Sequence, residues 1–179
     1  MSLELIIGCM FSGKSTEIMK LVNRLQVIQK QFILIKHKAD NRHTGSMVFT
    51  HDFLQRKCEV RDTLLSIFES DNYQLSEYII IEEAQFFEDL EPFVLKAVDQ
   101  DKKHVIVVGL DGDSSRNNFG QIHKLIPLCD NITKLKALCY LCKDGTEAIF
   151  SKRLSLETGQ TCIGSSDKYM AVCRKCFLE

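Results

Sequence analysis

The stretch ELIIGCMFSGKSTEIM, Glu4 to Met19, decides the fold. An apolar run ends at Gly8, the pattern G-x-x-x-x-G-K-S fills Gly8 to Ser15, and apolar residues at helical spacing follow from Lys14 to Ile28. The two glycines allow a tight turn in which successive backbone N–H groups face one anion, and the following helix N-terminus adds partial positive charge. The stretch therefore predicts a strand, a phosphate-binding loop and a helix.

Two side chains at the end of this loop predict a nucleotide and a metal ion. The Lys14 ammonium would reach the outer phosphates, and the Ser15 hydroxyl would bind the Mg²⁺ that bridges them, as in a P-loop. The alternative is a Gly/Ser turn that caps an ordinary helix. Strand and helix flank the pattern in the order that a P-loop requires, which favours the phosphate site.

Composition and charge fit a globular protein and disfavour several classes. The 179 residues are 45% hydrophobic and 26% charged, enough for one domain of roughly 130 residues and a small appendage. No apolar run approaches the roughly 18 residues of a membrane span, and the N-terminus lacks a signal-type segment, so we expect no membrane partner and a cytoplasmic location. The net charge of -1 lacks the basic excess that duplex nucleic acid requires, so we expect no nucleic-acid partner.

The rest of the chain alternates β-branched apolar runs with helical patterns, which is typical of an α/β domain with a mostly parallel sheet. After residue 135 the amino-acid composition changes, and cysteines and polar residues replace the apolar runs. We therefore predict a nucleotide-binding α/β domain at residues 1–135 and a small zinc-binding domain at 136–179. The predicted strands are 3–7, 32–36, 78–81, 105–110 and 132–138, and the predicted helices are 14–28, 61–70 and 90–99.

A pair of carboxylates follows the buried strand in IIIEEAQFF, Ile79 to Phe87. In an open α/β sheet the carboxyl ends of the strands form the edge where ligands bind. Phosphoryl transfer needs positioned charge and a base that accepts the proton of the acceptor hydroxyl. Glu82 suits the outer shell of the metal and Glu83 the base, whereas a solvated strand end or a helix cap is the alternative.

The spacing of four cysteines predicts a structural metal site. Cys139-x2-Cys142 and Cys173-x2-Cys176 form two pairs separated by 30 residues, which a short hairpin excursion closes into a tetrahedral four-sulfur Zn²⁺ site. Such a site leaves no open coordination position, so the zinc serves folding rather than chemistry; scattered buried thiols are the alternative. The histidines make no metal-binding pair and are interpreted as surface or loop residues. The other cysteines are interpreted as small apolar residues, and they are Cys9, Cys58, Cys129 and Cys162.

A polar loop, KADNRHTG, follows the second predicted strand and contains Asp40 and Arg42. An arginine at this place could reach the transferred phosphate or the acceptor, because its guanidinium pairs well with phosphate oxygens. A solvated ion pair within the loop is an equal alternative on the sequence alone.

Taken together, seven segments resemble the type II thymidine kinases, the zinc-containing family, nearly from end to end and in order. They are GCMFSGKST, KADNR, IEEAQFF, GLDGDSSRNNF, SKRL, IGSSDKY and the CxxC pairs. The resemblance implies a RecA-like P-loop domain for ATP and Mg²⁺, and a small zinc-ribbon domain whose lasso loop covers the nucleoside. It also implies ATP-dependent phosphorylation of the 5′-hydroxyl of thymidine, inhibition by thymidine triphosphate (dTTP) and a homotetramer.

The resemblance assigns site residues by position, with Glu83 as the catalytic base, Ser15 and Glu82 for Mg²⁺, and the four paired cysteines for zinc. The residues expected around the ATP phosphates are Gly8, Cys9, Met10, Phe11, Ser12, Gly13, Lys14, Ser15, Thr16, Asp40, Asn41, Arg42, Glu82 and Gln85. Those expected around the nucleoside are Met10, Phe86, Leu110, Ser114, Phe119, Ser151, Gln160, Thr161, Cys162, Ile163, Gly164 and Tyr169.

The chain departs from the family pattern at several places. Cys9 stands for a proline, Glu82 for an aspartate, DGDSSRNNF for DGTFQRKPF, and Ser165 for the second glycine of IGG. Ser114 replaces an aromatic residue near the nucleoside, which removes contact area. Because a missing methyl changes apolar binding by only roughly 1–3 kcal/mol, we expect deoxyuridine to be accepted to some degree, whereas purines and cytosine should be poor.

Two functions of other classes compete with a kinase. One is a P-loop ATPase that remodels nucleic acid, against which the near-neutral charge and the single sheet argue. The other is a nucleotide-sensing zinc protein without catalysis, which would bind thymidine or its triphosphate and form no labelled monophosphate.

Overall fold

A computed structural model describes residues 1–40, 47–49, 55–155, 159–162 and 164–179, with the backbone alone described at 47–49, 55 and 56. The predicted site residues Asn41, Arg42 and Ile163 lie outside this part of the chain.

Up to residue 135 the described residues form both strands and helices, and short strands and one short helix follow. Further helical segments are 3₁₀ helices at Leu65–Ile67, Ala84–Phe86 and Ile122–Leu128, and a π-helical turn at Lys96–Gln100. In chain order the elements are β1 (Ser2–Gly8), α1 (Lys14–Val27), β2 (Phe32–His37), β3 (Met47–Phe49), β4 (Gln55–Lys57), β5 (Glu59–Arg61), α2 (Asp71–Leu75), β6 (Tyr78–Glu82), α3 (Leu90–Leu95), β7 (His104–Gly109), β8 (Asn131–Leu135), β9 (Ala137–Leu138), β10 (Glu147–Ala148), β11 (Phe150–Arg153), β12 (Tyr169–Val172) and α4 (Arg174–Leu178).

A six-stranded sheet in the order β5-β2-β6-β7-β1-β8 forms the centre of the molecule. All of its neighbouring strands are parallel, which confirms the predicted α/β class. Because the strands are parallel, their carboxyl ends meet at one edge. Gly8, Glu82 and Gly109 end three of these strands, so this edge carries the predicted phosphate loop and both carboxylates.

The central strands β6 and β7 are buried on both faces, which explains their continuous apolar runs. Successive side chains of a strand point to opposite faces. Ile79 and Ile81 pack in the cluster that contains Phe93 of α3, whereas Ile80 packs with Ile18 of α1. A strand covered by helices on both sides cannot alternate apolar and polar residues.

The predicted helix at 61–70 is wrong. Residues 59–61 form β5, a 3₁₀ turn follows, and α2 begins only after Ser70. Asp89 Oδ2 accepts the backbone N–H groups of Leu64 and Leu65 at 2.7 and 2.9 Å, and Ser70 Oγ caps α2 by accepting from Tyr73 N–H. These side-chain contacts hold the backbone in turns that helical periodicity does not reveal.

Two other predicted elements are divided differently in the structure. The predicted strand at 132–138 contains β8, in the main sheet, and β9, in a separate two-stranded sheet, with a break at Lys136. The predicted helix at 90–99 is present, but its second half is the π-helical turn.

Residues 136–179, called the cysteine module below, contain two antiparallel pairs, β9 with β10 and β11 with β12, and helix α4. The buried core of this module consists of cysteines, alanines and Val172, and Cys9 of the Gly8–Ser15 loop packs into it. The division of the chain at residue 136 stays a prediction. Among the helices of the described residues, none combines the length and apolar character needed to cross a membrane.

Candidate functional site

The Gly8–Ser15 loop adopts a conformation that requires its glycines. Gly8 has φ 155°, and a Cβ there would lie 2.5 Å from the Leu135 carbonyl oxygen and 2.9 Å from Ser12 Oγ. Gly13 has φ 85° and directly precedes α1. The backbone therefore turns sharply between the end of a buried strand and a helix N-terminus, a shape that suits an anion.

The polar side chains of this loop gather at its inner side. Lys14 Nζ donates to the carbonyl oxygens of Gly8 and Cys9 at 3.1 and 2.7 Å. Ser15 Oγ donates to Glu82 Oε1 at 2.7 Å, which joins the loop to the end of β6. Ser12 Oγ is buried and has no hydrogen-bond partner among the described residues, so a polar atom in this loop is available to a ligand.

Glu83 lies directly after β6 in an unusual backbone conformation. Its φ of 50° and ψ of 42° are left-handed, a region that residues other than glycine seldom adopt and that costs of order 1–3 kcal/mol. The residue is 8% exposed, and its Oε2 accepts a hydrogen bond of 2.5 Å from Gln85 Nε2. The strained turn thus places a buried carboxylate directly after the end of β6, next in sequence to Glu82.

Gln85 connects Glu83 to the neighbouring strand. The side chain is 3% exposed, and its Oε1 accepts the Leu110 backbone N–H at 3.1 Å. Two glycines make room for it, because a Cβ on Gly109 would lie 2.5 Å from Gln85 Oε1 and one on Gly120 only 2.1 Å from the Gln85 carbonyl oxygen. Both hydrogen-bonding groups of the amide are therefore used to fix Glu83 relative to β7.

Aromatic side chains flank this edge of the sheet. The rings of Phe86 and Phe119 meet edge to face with centroids 5.6 Å apart. His37, interpreted from the sequence as a surface or loop residue, is half-buried and packs 4.7 Å from Phe87 and 5.8 Å from Phe86. His37 is the last residue of β2, and its ring packs against these two phenylalanines, so the interpretation as a surface or loop residue was wrong.

The cysteine module contacts the Gly8–Ser15 loop directly. Ser151 Oγ accepts the Met10 backbone N–H at 2.9 Å, and Cys9 Sγ donates to the Ala148 carbonyl oxygen at 3.5 Å. Burial raises the pKa of Cys9, which therefore stays a thiol and packs as a small apolar side chain. Cys9 and Met10 thus join the loop to the module.

Residues 159–162, called the covering segment below, lie against the hairpin of β11 and β12. Arg153 donates through Nη1 to the Gly159 carbonyl oxygen at 2.7 Å and through Nη2 to that of Gln160 at 3.0 Å. Tyr169 Oη donates to the Cys162 carbonyl oxygen at 2.7 Å. The predicted nucleoside residues on this segment are thereby positioned by side chains of the module.

The remaining predicted site residues lie on several different elements. Asp40 is buried after β2, and Thr16 lies in the first turn of α1. Leu110 and Ser114 follow β7 and are half-buried, whereas Thr161 is exposed on the covering segment. The Lys168 side chain lies over Gly164, where a Cβ would meet it at 2.7–2.8 Å.

Four cysteines come together in the module as the spacing predicts. The Sγ atoms of Cys139, Cys142, Cys173 and Cys176 all lie within 4.8 Å of one another. The Cys142 sulfur is 3.8 Å from that of Cys173 and 3.5 Å from that of Cys176. A tetrahedral zinc with Zn–S bonds of about 2.3 Å requires sulfurs about 3.8 Å apart, so the donor set and its spacing fit zinc.

Backbone groups favour the thiolate at one of these cysteines. Cys139 Sγ accepts the Cys173 backbone N–H at 3.3 Å. Burial raises the pKa of Cys139, but backbone N–H groups of Cys173, Cys142 and Leu141 outweigh it and lower this pKa to about 6. Metal binding requires the thiolate, so this environment also suits a metal ligand.

One residue of this edge was missed by the sequence analysis. Lys36 is 2% exposed and pairs in register with Glu82 on the neighbouring strand. A lysine at the end of the apolar run FILIK was the available signal, because a buried ammonium requires nearby negative charge.

Comparison with known proteins assigns the family. The thymidine kinase family model matches residues 1–177. A thymidine kinase of Oryza sativa subsp. japonica is 41% identical over 99% of this chain, which spans 66% of the rice protein. Thymidine kinase a of Arabidopsis thaliana is 39% identical, with 99% of this chain and 75% of that protein covered. The thymidine kinase of vaccinia virus strain Western Reserve is 40% identical, with 99% and 97% covered. The chain belongs to the thymidine kinase family.

Proposed function

We propose that this protein transfers the γ-phosphoryl group of ATP to the 5′-hydroxyl of thymidine, which supplies thymidine monophosphate for DNA synthesis. The family supports the reaction. The observation that carries the assignment of roles is the hydrogen bond between Ser15 and Glu82, the residue that directly precedes the buried Glu83 at this edge of the sheet.

The Gly8–Ser15 loop is the proposed P-loop for the donor. Its glycine turn, the α1 N-terminus and the Ser12 hydroxyl supply groups that suit phosphate oxygens. Lys14 would leave its carbonyl partners for the outer phosphates. Ser15 and, through water, Glu82 would hold Mg²⁺, which when bound supplies positive charge against the phosphate oxygens.

Glu83 is the proposed general base. Phosphoryl transfer depends mostly on positioning and charge, and the proton of the attacking hydroxyl must be accepted by a placed group. The hydrogen bond from Gln85 orients the carboxylate that would accept this proton. Asp40, Asn41 and Arg42 are proposed to surround the phosphates, with Arg42 stabilising the transferred group.

The nucleoside is proposed to lie between the sheet edge and the cysteine module. Phe86 and Phe119 would border the base and the sugar, together with Tyr169. Met10, Leu110 and Ser151 would line the space for the 5-methyl group, near Ser114. Backbone groups of residues 160–164 would pair with the edge of the base, including those of Thr161, Cys162, Ile163 and Gly164.

Three finer properties belong to the same proposal. Deoxyuridine should be a weaker substrate, since it lacks only a methyl. Thymidine triphosphate should inhibit, because its base fits the acceptor site and its phosphates suit the loop. We also propose a homotetramer in the cytoplasm, and a structural zinc in the four-cysteine site.

The test is a transfer assay with γ-labelled ATP across thymidine, deoxyuridine, deoxycytidine and purine deoxynucleosides. We expect labelled monophosphate from thymidine, less from deoxyuridine and little from the others. Thymidine binding without a labelled product would contradict the kinase, and labelled product from a purine or deoxycytidine at the thymidine rate would contradict the acceptor.

A further inference from the structure

A tight turn at residues 113–117 lies between β7 and Phe119. Asp113 Oδ1 accepts the backbone N–H groups of Ser115 and Asn117, both at 2.8 Å. Asp113 N–H donates to the Asn117 carbonyl oxygen at 3.0 Å. One carboxylate oxygen of Asp113 is therefore sufficient to hold the turn together.

The second carboxylate oxygen of Asp113 reaches across to the covering segment. Gln160 Nε2 donates to Asp113 Oδ2 at 2.8 Å and to the Asn118 carbonyl oxygen at 3.1 Å. Hydrogen bonds to a carboxylate are stronger than those between neutral groups. Burial raises the pKa of Asp113, but the hydrogen bonds from Gln160, Asn117 and Ser115 outweigh it and hold this pKa below its usual value.

A second contact joins the same turn to the cysteine module. The Arg116 guanidinium lies over the rings of Phe177 and Phe150, at 4.8 and 5.7 Å from their centroids. The turn is thus fixed to the module at Arg116, whereas Asp113 is its contact with the covering segment. Arg153 and Tyr169 bind that segment through its backbone carbonyl oxygens.

We propose that Asp113 is a positioning residue that holds the covering segment closed over the nucleoside through its hydrogen bond with Gln160. This inference rests on the proposed function, in which residues 160–164 pair with the base. The turn ends just before Phe119, so the same bond fixes the distance between two walls of the acceptor site. The donor side, built on the Gly8–Ser15 loop, makes no use of the bond.

The test exchanges donor and acceptor at this one contact. In Asp113→Asn, Oδ1 still closes the turn, but an NH₂ group faces the Gln160 NH₂ group. In Gln160→Glu, two carboxylates face each other. In the double variant the amide introduced at position 113 donates to the carboxylate introduced at position 160, so the bond returns with reversed direction.

We expect each single variant to raise KM for thymidine by about 3- to 10-fold, the scale of one partly exposed charged hydrogen bond. Values of kcat and KM for ATP should stay within about twofold. The double variant should recover part of the thymidine affinity, because the bond with position 113 returns but the one from Gln160 to the Asn118 carbonyl oxygen does not. Asp144→Asn is the matched control, because Asp144 closes a turn by accepting from Thr146 N–H at 2.9 Å in the module.

Hydrogen exchange without nucleoside supplies a readout that does not depend on catalysis. The amides of residues 159–162 should exchange faster in both single variants than in the wild type and the double variant, with zinc content and Tm unchanged. Unchanged exchange and unchanged KM in both single variants would overturn the positioning role of Asp113, as would a loss of kcat with KM for thymidine unchanged. A wild-type protein that fails to phosphorylate thymidine overturns the proposed function instead, while the exchange comparison still decides whether Asp113 holds the segment.

Discussion

The edge of the parallel sheet and the cysteine module are stabilised by different means. At the sheet edge, Glu82 ends β6 and Glu83 follows it, and the residues Ile79, Ile80 and Ile81 of this strand are fully buried. The loop follows β1, whose Leu5 is fully buried. The module has strands of only two to four residues and a core of cysteines and small residues. Segments of about 40 residues rarely fold without a metal or disulfides. We therefore expect the proposed donor site to depend mainly on the sheet, and the proposed acceptor site to depend on the metal.

Removal of the metal should give the largest difference between the effects on the two regions. In Cys176→Ser we expect zinc binding and thymidine phosphorylation to be lost, because structural zinc supplies about 10–16 kcal/mol to folding of such sites. Binding of an ATP analogue should persist, though weakened by the loss of the contacts that Cys9 and Met10 make with the module. Zinc content per chain and calorimetry check both expectations.

The control for this variant is Cys129→Ser, whose thiol lies outside the four-cysteine cluster. It should keep zinc and activity. Full thymidine phosphorylation by zinc-free Cys176→Ser protein would show that the acceptor site does not need the metal.

Loss of the base should affect chemistry alone. We expect Glu83→Gln to lower kcat at least 100-fold, the usual scale for a general base, with ATP affinity and Tm unchanged. Glu88→Gln, at an exposed glutamate nearby, should behave as the wild type. Near-normal turnover in Glu83→Gln would remove Glu83 from the role.

Loss of the support for Glu83 should have a smaller effect. In Gln85→Leu the Glu83 carboxylate loses the hydrogen bond from Gln85 and the Leu110 N–H loses its acceptor, so we expect kcat to fall about 10- to 100-fold. The free energy of unfolding should fall by about 1–3 kcal/mol, the cost of a buried unpaired group. If urea unfolding and kcat are both unchanged, the Gln85 bridge has no role in positioning the base.

The smallest expected effect is a difference in unfolding free energy between alanine substitutions at two glycines with positive φ, one in each region. Gly120 has φ 61° and faces the Gln85 carbonyl oxygen, whereas Gly145 of the module has φ 90° and open space. Gly120→Ala should destabilise the protein by about 1–3 kcal/mol more than Gly145→Ala, because an added Cβ forces the backbone apart only at Gly120. Equal unfolding free energies would contradict the close approach.

The sequence predicts the sheet well and the connections poorly. Apolar runs such as Ile79–Ile81 determine their own conformation by burial on both faces, and CxxC spacing is specific for the four-sulfur site. The turns at 61–70 depend instead on Asp89, a residue distant in sequence that accepts from their backbone. Periodicity within the segment does not contain that information.

The candidate site shows the same limit. The loop glycines and both glutamates are found from spacing, but the bonds between Gln85 and Leu110, and between Ser151 and Met10, join residues brought together only by folding. The partners of Asp113 belong to this group as well, since Gln160 lies 47 residues away. Contacts of this kind cannot be predicted from the local sequence, because they depend on how the folded chain packs.

The most direct test of the account is the stoichiometry of ATP consumption by the wild-type protein with and without thymidine. We predict one ADP for each thymidine monophosphate formed, and almost no ADP without thymidine, because in the proposed function the sheet edge holds the donor and the base but the acceptor supplies the attacking hydroxyl. Formation of ADP at an equal rate without thymidine, or stimulated by DNA rather than by thymidine, would contradict it.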